Sequence, residues 1–178
     1  CCTVRGELVS TLEDFLRRLD NGRLERLSRV VIETTGLAHP GPILHAVMLH
    51  PYLVQRFRLD GVVTLVDAIN GMATLDAHEE ALAQVGVADR IVLTKTDLLP
   101  DGDPGVEALR ARLHAINPLA RILDAAKGEA AVPALLGAGL YDADTRKVDV
   151  AKWFGDVDET TDHAHHDQGG HEHAHGRP

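Results

Sequence analysis

Apolar positions along the chain switch between a helical and a strand period. From Ser10 the spacing is helical: Leu12, Phe15, Leu16 and Leu19 share a stripe, Ser10-x-x-Glu13 reads as a capping box, and Asn21-Gly22 is the stop. Val30-Val31-Ile32-Glu33 then reads as a buried parallel strand that delivers a carboxylate at its C-terminal end. Pro40 and Pro42 open a second helical region through Leu44, Val47 and Met48, which Pro51 should break. Gly61 to Asp67 is another strand ending in an acid, and Asp67 there reads as a cap or turn residue. Residues 74 to 85 predict a helix stopped by Gly86, and Ile91 to Thr94 a further strand. Asp103 and Pro104 are the N-cap and first residue of a helix carrying Val106, Leu109, Leu113 and Ile116 on one side, up to Asn117-Pro118. Arg121 to Ala125 is a fourth strand, and Val132 to Leu136 a short closing helix.

Strands alternating with helices, over connections more than twenty residues long, predict an α/β fold: a parallel sheet flanked by helices. Such sheets carry their chemistry on the loops that follow the strands. In Glu33-Thr34-Thr35-Gly36-Leu37-Ala38, the acid suits magnesium, usually through water, and the Gly36 N–H could reach a terminal phosphate oxygen unobstructed. Alone, that stretch reads equally well as a strand ending in a solvated Glu. The second loop, Thr94-Lys95-Thr96-Asp97, decides between them. Its aspartate can accept two parallel hydrogen bonds from the N1–H and exocyclic amine of guanine, a donor pair that adenine lacks. The Lys95 stem can lie along base and ribose while its ammonium stays wet. Gly137-Ala138-Gly139 follows a helix rather than a strand and lacks a third glycine, so it is no dinucleotide motif.

Composition narrows the partners. The chain has 178 residues, 44% of them apolar, enough for one core. Net charge is −9 with no basic run or aromatic–basic patch, so nucleic acid is not an expected partner. No apolar run reaches membrane-spanning length and no signal peptide is present, so no membrane partner is expected and the chain reads as cytoplasmic. Cys1-Cys2 offers no disulfide framework; in a reducing compartment such a pair suits a metal or redox site. After Trp153 the character changes. Asp156 to Pro178 is acidic, glycine-containing and rich in histidine, with His163, His165, His166, His171, His173 and His175. This tail is expected to be disordered unless metal orders it, and to take zinc, nickel, cobalt or copper with little selectivity.

Taken together, Cys1-Cys2-Thr3-Val4-Arg5-Gly6, Glu33-Thr34-Thr35-Gly36-Leu37-Ala38, Thr94-Lys95-Thr96-Asp97 and the histidine-rich tail resemble the CobW family of P-loop GTPases, linked to cobalamin synthesis, zinc homeostasis and metal insertion. The resemblance runs from residue 1 to about residue 142. It implies a partial P-loop NTPase (G-domain) fold over residues 1–150, followed by an acidic, histidine-rich linker over 151–178. It also implies GTP, Mg2+ and a transported Zn2+ or Co2+, a metal-receiving client protein, and room for a homodimer. Glu33 and Gly36 would serve hydrolysis, and Thr94, Lys95 and Asp97 would hold the base. Cys1, Cys2 and the six tail histidines would hold metal, with a third cysteine supplied from upstream.

Three departures qualify the match. The family's metal motif is Cys-x-Cys-Cys, of which only the last pair is present, and Thr94 stands where the family often has Asn. The chain has no Gly-Lys dipeptide, so the phosphate loop is not in it. The chain is therefore expected to be an excerpt lacking the first strand, the phosphate loop and a C-terminal domain. The expected function of the whole protein is GTP hydrolysis coupled to metal delivery. A different class, a non-enzymatic histidine-rich metal buffer on an inactive fold, is the alternative. A nickel-insertion GTPase of the urease or hydrogenase type fits Cys1-Cys2-Thr3-Val4-Arg5 less well.

Overall fold

Strand–helix alternation is what the computed structural model, which describes residues 2–137, contains. Its elements are α1 (Cys2–Asp20), α2 (Pro40–Leu49), β1 (Val63–Asp67), α3 (Gly71–Ala77), α4 (Glu79–Gly86), β2 (Arg90–Thr94), α5 (Pro104–Ile116), β3 (Arg121–Asp124) and α6 (Val132–Leu135). The three strands pair in parallel in the order β1-β2-β3. Asp67 lies opposite Thr94, and Leu93 opposite Asp124, so the three C-terminal ends line one edge of the sheet.

β2 is the central strand, and its consecutive Ile91, Val92 and Leu93 are all buried, as a strand covered on both faces requires. β1 alternates instead, with Thr64 and Val66 inside and Leu65 69% exposed. Against β2 the main core gathers Val66, Leu75, Val85, Ile91, Leu93, Leu109 and Leu113. The last two come from the predicted face of α5, whose N-cap Asp103 accepts the Gly105 N–H at 2.7 Å. A second, smaller core joins Leu12 and Leu16 of α1 to Leu53, with Phe15, Val30 and Val47 against it. α2 begins at Pro40 and stops before Pro51, which holds His50 in an extended conformation (φ −71°, ψ 120°).

Three expectations change. The Ser10 capping box does not form, because α1 already runs from Cys2. Ser10 is thus an interior position, and its hydroxyl donates back to the Gly6 carbonyl at 2.9 Å. Residues 74–85 are two helices, broken at His78 (φ −134°, ψ 117°). Glu79 and Glu80 then sit in the first turn of α4, where carboxylates favour a new helix start. Finally, Val30 to Glu33 is not a strand. A strand needs a ladder partner, and among the described residues none pairs with this segment, so Val31 is 82% exposed. Val30 alone finds apolar cover, in the second core.

Candidate functional site

The strand ends build the site. β2 leaves the sheet at Thr94 and turns at Lys95, whose backbone is left-handed (φ 62°, ψ 21°). For a side chain with a Cβ that conformation costs about 1–2 kcal/mol and persists only where neighbours hold it. Both neighbouring strands do so. On one side, the Lys95 ammonium donates to Asp67 Oδ2 at 2.6 Å. The Asp67 carboxylate also accepts the Ile69 N–H at 2.8 Å and both the backbone and side-chain N–H groups of Asn70. Lys95 foremost, with those N–H donors, outweighs partial desolvation and lowers the Asp67 carboxyl to about 2. The reading of Asp67 as a turn residue is thus correct and incomplete.

On the other side, the Thr96 hydroxyl donates to Asp124 Oδ1 at 2.6 Å, and Arg110 reaches Oδ2 at 3.2 Å. Asp124 is 1% exposed. Burial pushes its carboxyl up, but the Thr96 hydroxyl, the Lys127 and Ala126 N–H groups and the Lys127 charge hold it below its ordinary value. An acid at a strand end is the one local signal of this buried brace.

Between these two anchors a single 3₁₀ turn, Thr96–Leu98, carries Asp97. Its carboxylate is exposed and accepts no hydrogen bond among the described residues. A braced loop presenting a free carboxylate can accept two parallel hydrogen bonds from a planar base, a pairing that guanine's two donors fit.

Glu33 and Gly36 lie on a different loop. Both are exposed, and Ala38 N–H donates to Thr35 O at 3.0 Å, closing a turn over Gly36 and Leu37. Gln84 of α4 ties that turn down, its amide nitrogen 3.0 Å from Gly36 O and 2.9 Å from Ala38 O. No direct hydrogen bond joins this loop to the Lys95 loop among the described residues. Of the candidate metal ligands, Cys2 is the first residue of α1, while Cys1 and His163, His165, His166, His171, His173 and His175 lie outside the described residues. Among the described residues no cluster of three or more His, Cys, Asp or Glu could hold a metal, and no helix is long and apolar enough to cross a membrane.

Helix-flanked parallel strands with charged loops gathered at their C-terminal ends define an α/β protein of the P-loop GTPase-like fold. The chain belongs to the CobW/HypB/UreG family, whose nucleotide-binding domain matches residues 1–124. It is 42% identical over 129 residues to the zinc chaperone YjiA of Escherichia coli K12, covering 72% of this chain and 39% of that protein. To the zinc-regulated GTPase metalloprotein activator 1 of Schizosaccharomyces pombe it is 35% identical, covering 72% of this chain and 30% of that protein. The solved structure of Zn(II)-bound YjiA GTPase from E. coli matches with a TM-score of 0.65 at 40% identity, over 73% of this chain and 39% of that one. A Zn(II)-bound triple mutant of the same GTPase, with one glutamate and two adjacent cysteines replaced by alanine, matches at a TM-score of 0.64 and 41% identity, over 71% of this chain and 38% of that one. The chain thus spans about two fifths or less of the length of these relatives.

Proposed function

We propose that the protein to which this segment belongs binds and hydrolyses GTP and couples hydrolysis to delivery of a transition metal, zinc or cobalt, to a client protein or the cobalamin pathway. Zinc is favoured, since the relatives are zinc chaperones and zinc-regulated activators by name. One observation carries the GTP reading: Asp97 is exposed and uncommitted on a loop that Asp67 and Asp124 brace from both sides. Asp97 pairs with the guanine edge, the Lys95 stem lies along the base, and Thr94 ends the strand that sets both. Gly36 donates its N–H to the γ-phosphate, and Glu33 would hold Mg2+ through water. Magnesium, when bound, neutralises charge on the phosphate oxygens. Water attacks the γ-phosphorus, the bond to the β–γ bridging oxygen breaks, and GDP and phosphate leave. Cys1 and Cys2 carry the transported metal, and the histidine tail concentrates it. Zinc is still bound in the relative's mutant that lacks an adjacent cysteine pair, so the two candidate sites here need separate tests.

The test is base discrimination in the full-length protein. Asp97→Asn presents an N–H₂ to guanine's donors, and losing the charge-assisted pair costs about 2–3 kcal/mol of GTP binding with little effect on ATP. Equal affinity of the unmutated protein for GTP and ATP, by competition with a fluorescent analogue, refutes the guanine assignment.

A further inference from the structure

We infer that Gln84 is a positioning residue for the γ-phosphate: it fixes the Glu33–Ala38 loop to the body of the domain. Both N–H groups of its carboxamide are spent on that loop, one on Gly36 O at 3.0 Å and the other on Ala38 O at 2.9 Å. Two carbonyl acceptors admit only the amide nitrogen end, which fixes the orientation of the carboxamide. The same residue is held from the other direction, because its main-chain carbonyl accepts the Thr64 hydroxyl of β1 at 2.8 Å. Gln84 therefore joins the sheet to a loop nearly fifty residues away in sequence.

The loop needs such an anchor. Glu33 to Leu37 is exposed, and among the described residues no strand ladder holds it and Gly36 has no neighbour within 4 Å of where a Cβ would lie. Its tie at the far end is His39, whose Nδ1 accepts the Gly41 N–H at the start of α2. Between the two ties Gln84 holds the Gly36–Leu37 and Ala38–His39 peptide planes, while the Ala38 N–H bond to Thr35 O holds the Thr35–Gly36 plane that carries the Gly36 N–H. An N–H that donates to a phosphate oxygen must be aimed within narrow limits of distance and angle. Gln84 supports that aim by tying down the turn from both sides of it, without touching nucleotide. The inference rests on the reading of Gly36 and Glu33 as the γ-phosphate and magnesium residues.

The experiment replaces Gln84→Met, which keeps the length and removes the donors, and Gln84→Glu, which turns a carboxylate toward the two carbonyls. In the full-length protein with magnesium, affinities for GDP and for a non-hydrolysable GTP analogue are measured, with amide hydrogen exchange across residues 34–39. Loss of two hydrogen bonds predicts faster exchange in that segment and about tenfold weaker analogue binding in Gln84→Met, more in Gln84→Glu, with GDP affinity unchanged. Unchanged GDP affinity also shows that the guanine loop is folded. Unchanged exchange overturns the anchor itself. Faster exchange with no loss of analogue affinity overturns the γ-phosphate reading of Gly36, and with it this role of Gln84. Equal losses for GDP and analogue overturn the positioning role in favour of a structural one.

Discussion

Asp67→Asn tests one carboxylate at the strand ends. The asparagine Oδ1 can still accept the Ile69 and Asn70 backbone N–H groups, while its NH₂ replaces Oδ2, so the change removes the charge and the bonds from Lys95 and the Asn70 side chain. A carboxyl lowered from 3.8 to about 2 corresponds to about 2.4 kcal/mol of folded-state stabilisation. That is an upper bound, because the Lys95 side chain is 52% exposed and water screens the pair; about 1 kcal/mol is the expected share. The depressed carboxyl binds its proton more weakly in the folded than in the unfolded state. Its contribution is therefore present above about pH 4 and is lost as pH falls through about 2. Urea unfolding should then give a wild-type advantage of about 1 kcal/mol at pH 6 that shrinks below pH 4. A double-mutant cycle with Lys95→Met should return a coupling of the same size at pH 6. A stability gap that stays constant from pH 6 to 2.5, or a coupling near zero, refutes the ion pair as the support of the left-handed Lys95.

Other consequences are direct. Asn117→Ala should cost about 2–3 kcal/mol in urea unfolding, since the Asn117 amide donates to Val85 O at 2.8 Å and Ala88 O at 2.9 Å, and both carbonyls would lose their side-chain donor. Leu113→Ala, in the fully buried face of α5, should cost about 2–5 kcal/mol and lower the midpoint at an unchanged slope. For the metal sites, deleting residues 163–175 from the full-length protein should lower zinc stoichiometry while zinc affinity still differs between GTP and GDP. Cys1→Ser with Cys2→Ser should abolish that difference, and the reverse outcome moves the delivery site to the tail.

What was legible followed from periodicity and punctuation. The Leu109 and Leu113 face, the Asp103-Pro104 start and the apolar run of β2 are local signals that tertiary packing did not oppose. Ser10-x-x-Glu13 was equally local and misled, because a capping box marks a helix start only if the preceding residues are not helical. Val30 to Glu33 failed for a different reason. β-branched residues state a preference for extended backbone, but strand pairing depends on a neighbour that the segment's own sequence does not encode. At the candidate site, Lys95 and Asp97 could be proposed from their place at a strand end, in order after Glu33-x-x-Gly36. Asp124, Arg110, Asn117 and Gln84 could not, since their partners lie 14 to 48 residues away and each reads locally as an ordinary polar position.

The acids at the strand ends also show how a carboxylate spent on the fold differs from one left open to a ligand. A carboxylate offers about four lone-pair positions. Asp67 accepts from Ile69, from both nitrogens of Asn70 and from Lys95, so nothing remains for a ligand. Asp124 is nearly spent on Thr96, Ala126 and Arg110, and at 1% exposure no base could reach it. Asp97 stands one residue beyond Thr96 with none of its positions taken among the described residues. Three acids of the same chemistry therefore divide the work by geometry. The two flanking ones spend their hydrogen-bonding capacity to hold a strained Lys95 and its neighbour Thr96, and the rigidity so gained fixes where Asp97 points. Replacing a flanking acid should therefore weaken nucleotide binding through the loop's disorder, whereas replacing Asp97 should change which base is preferred.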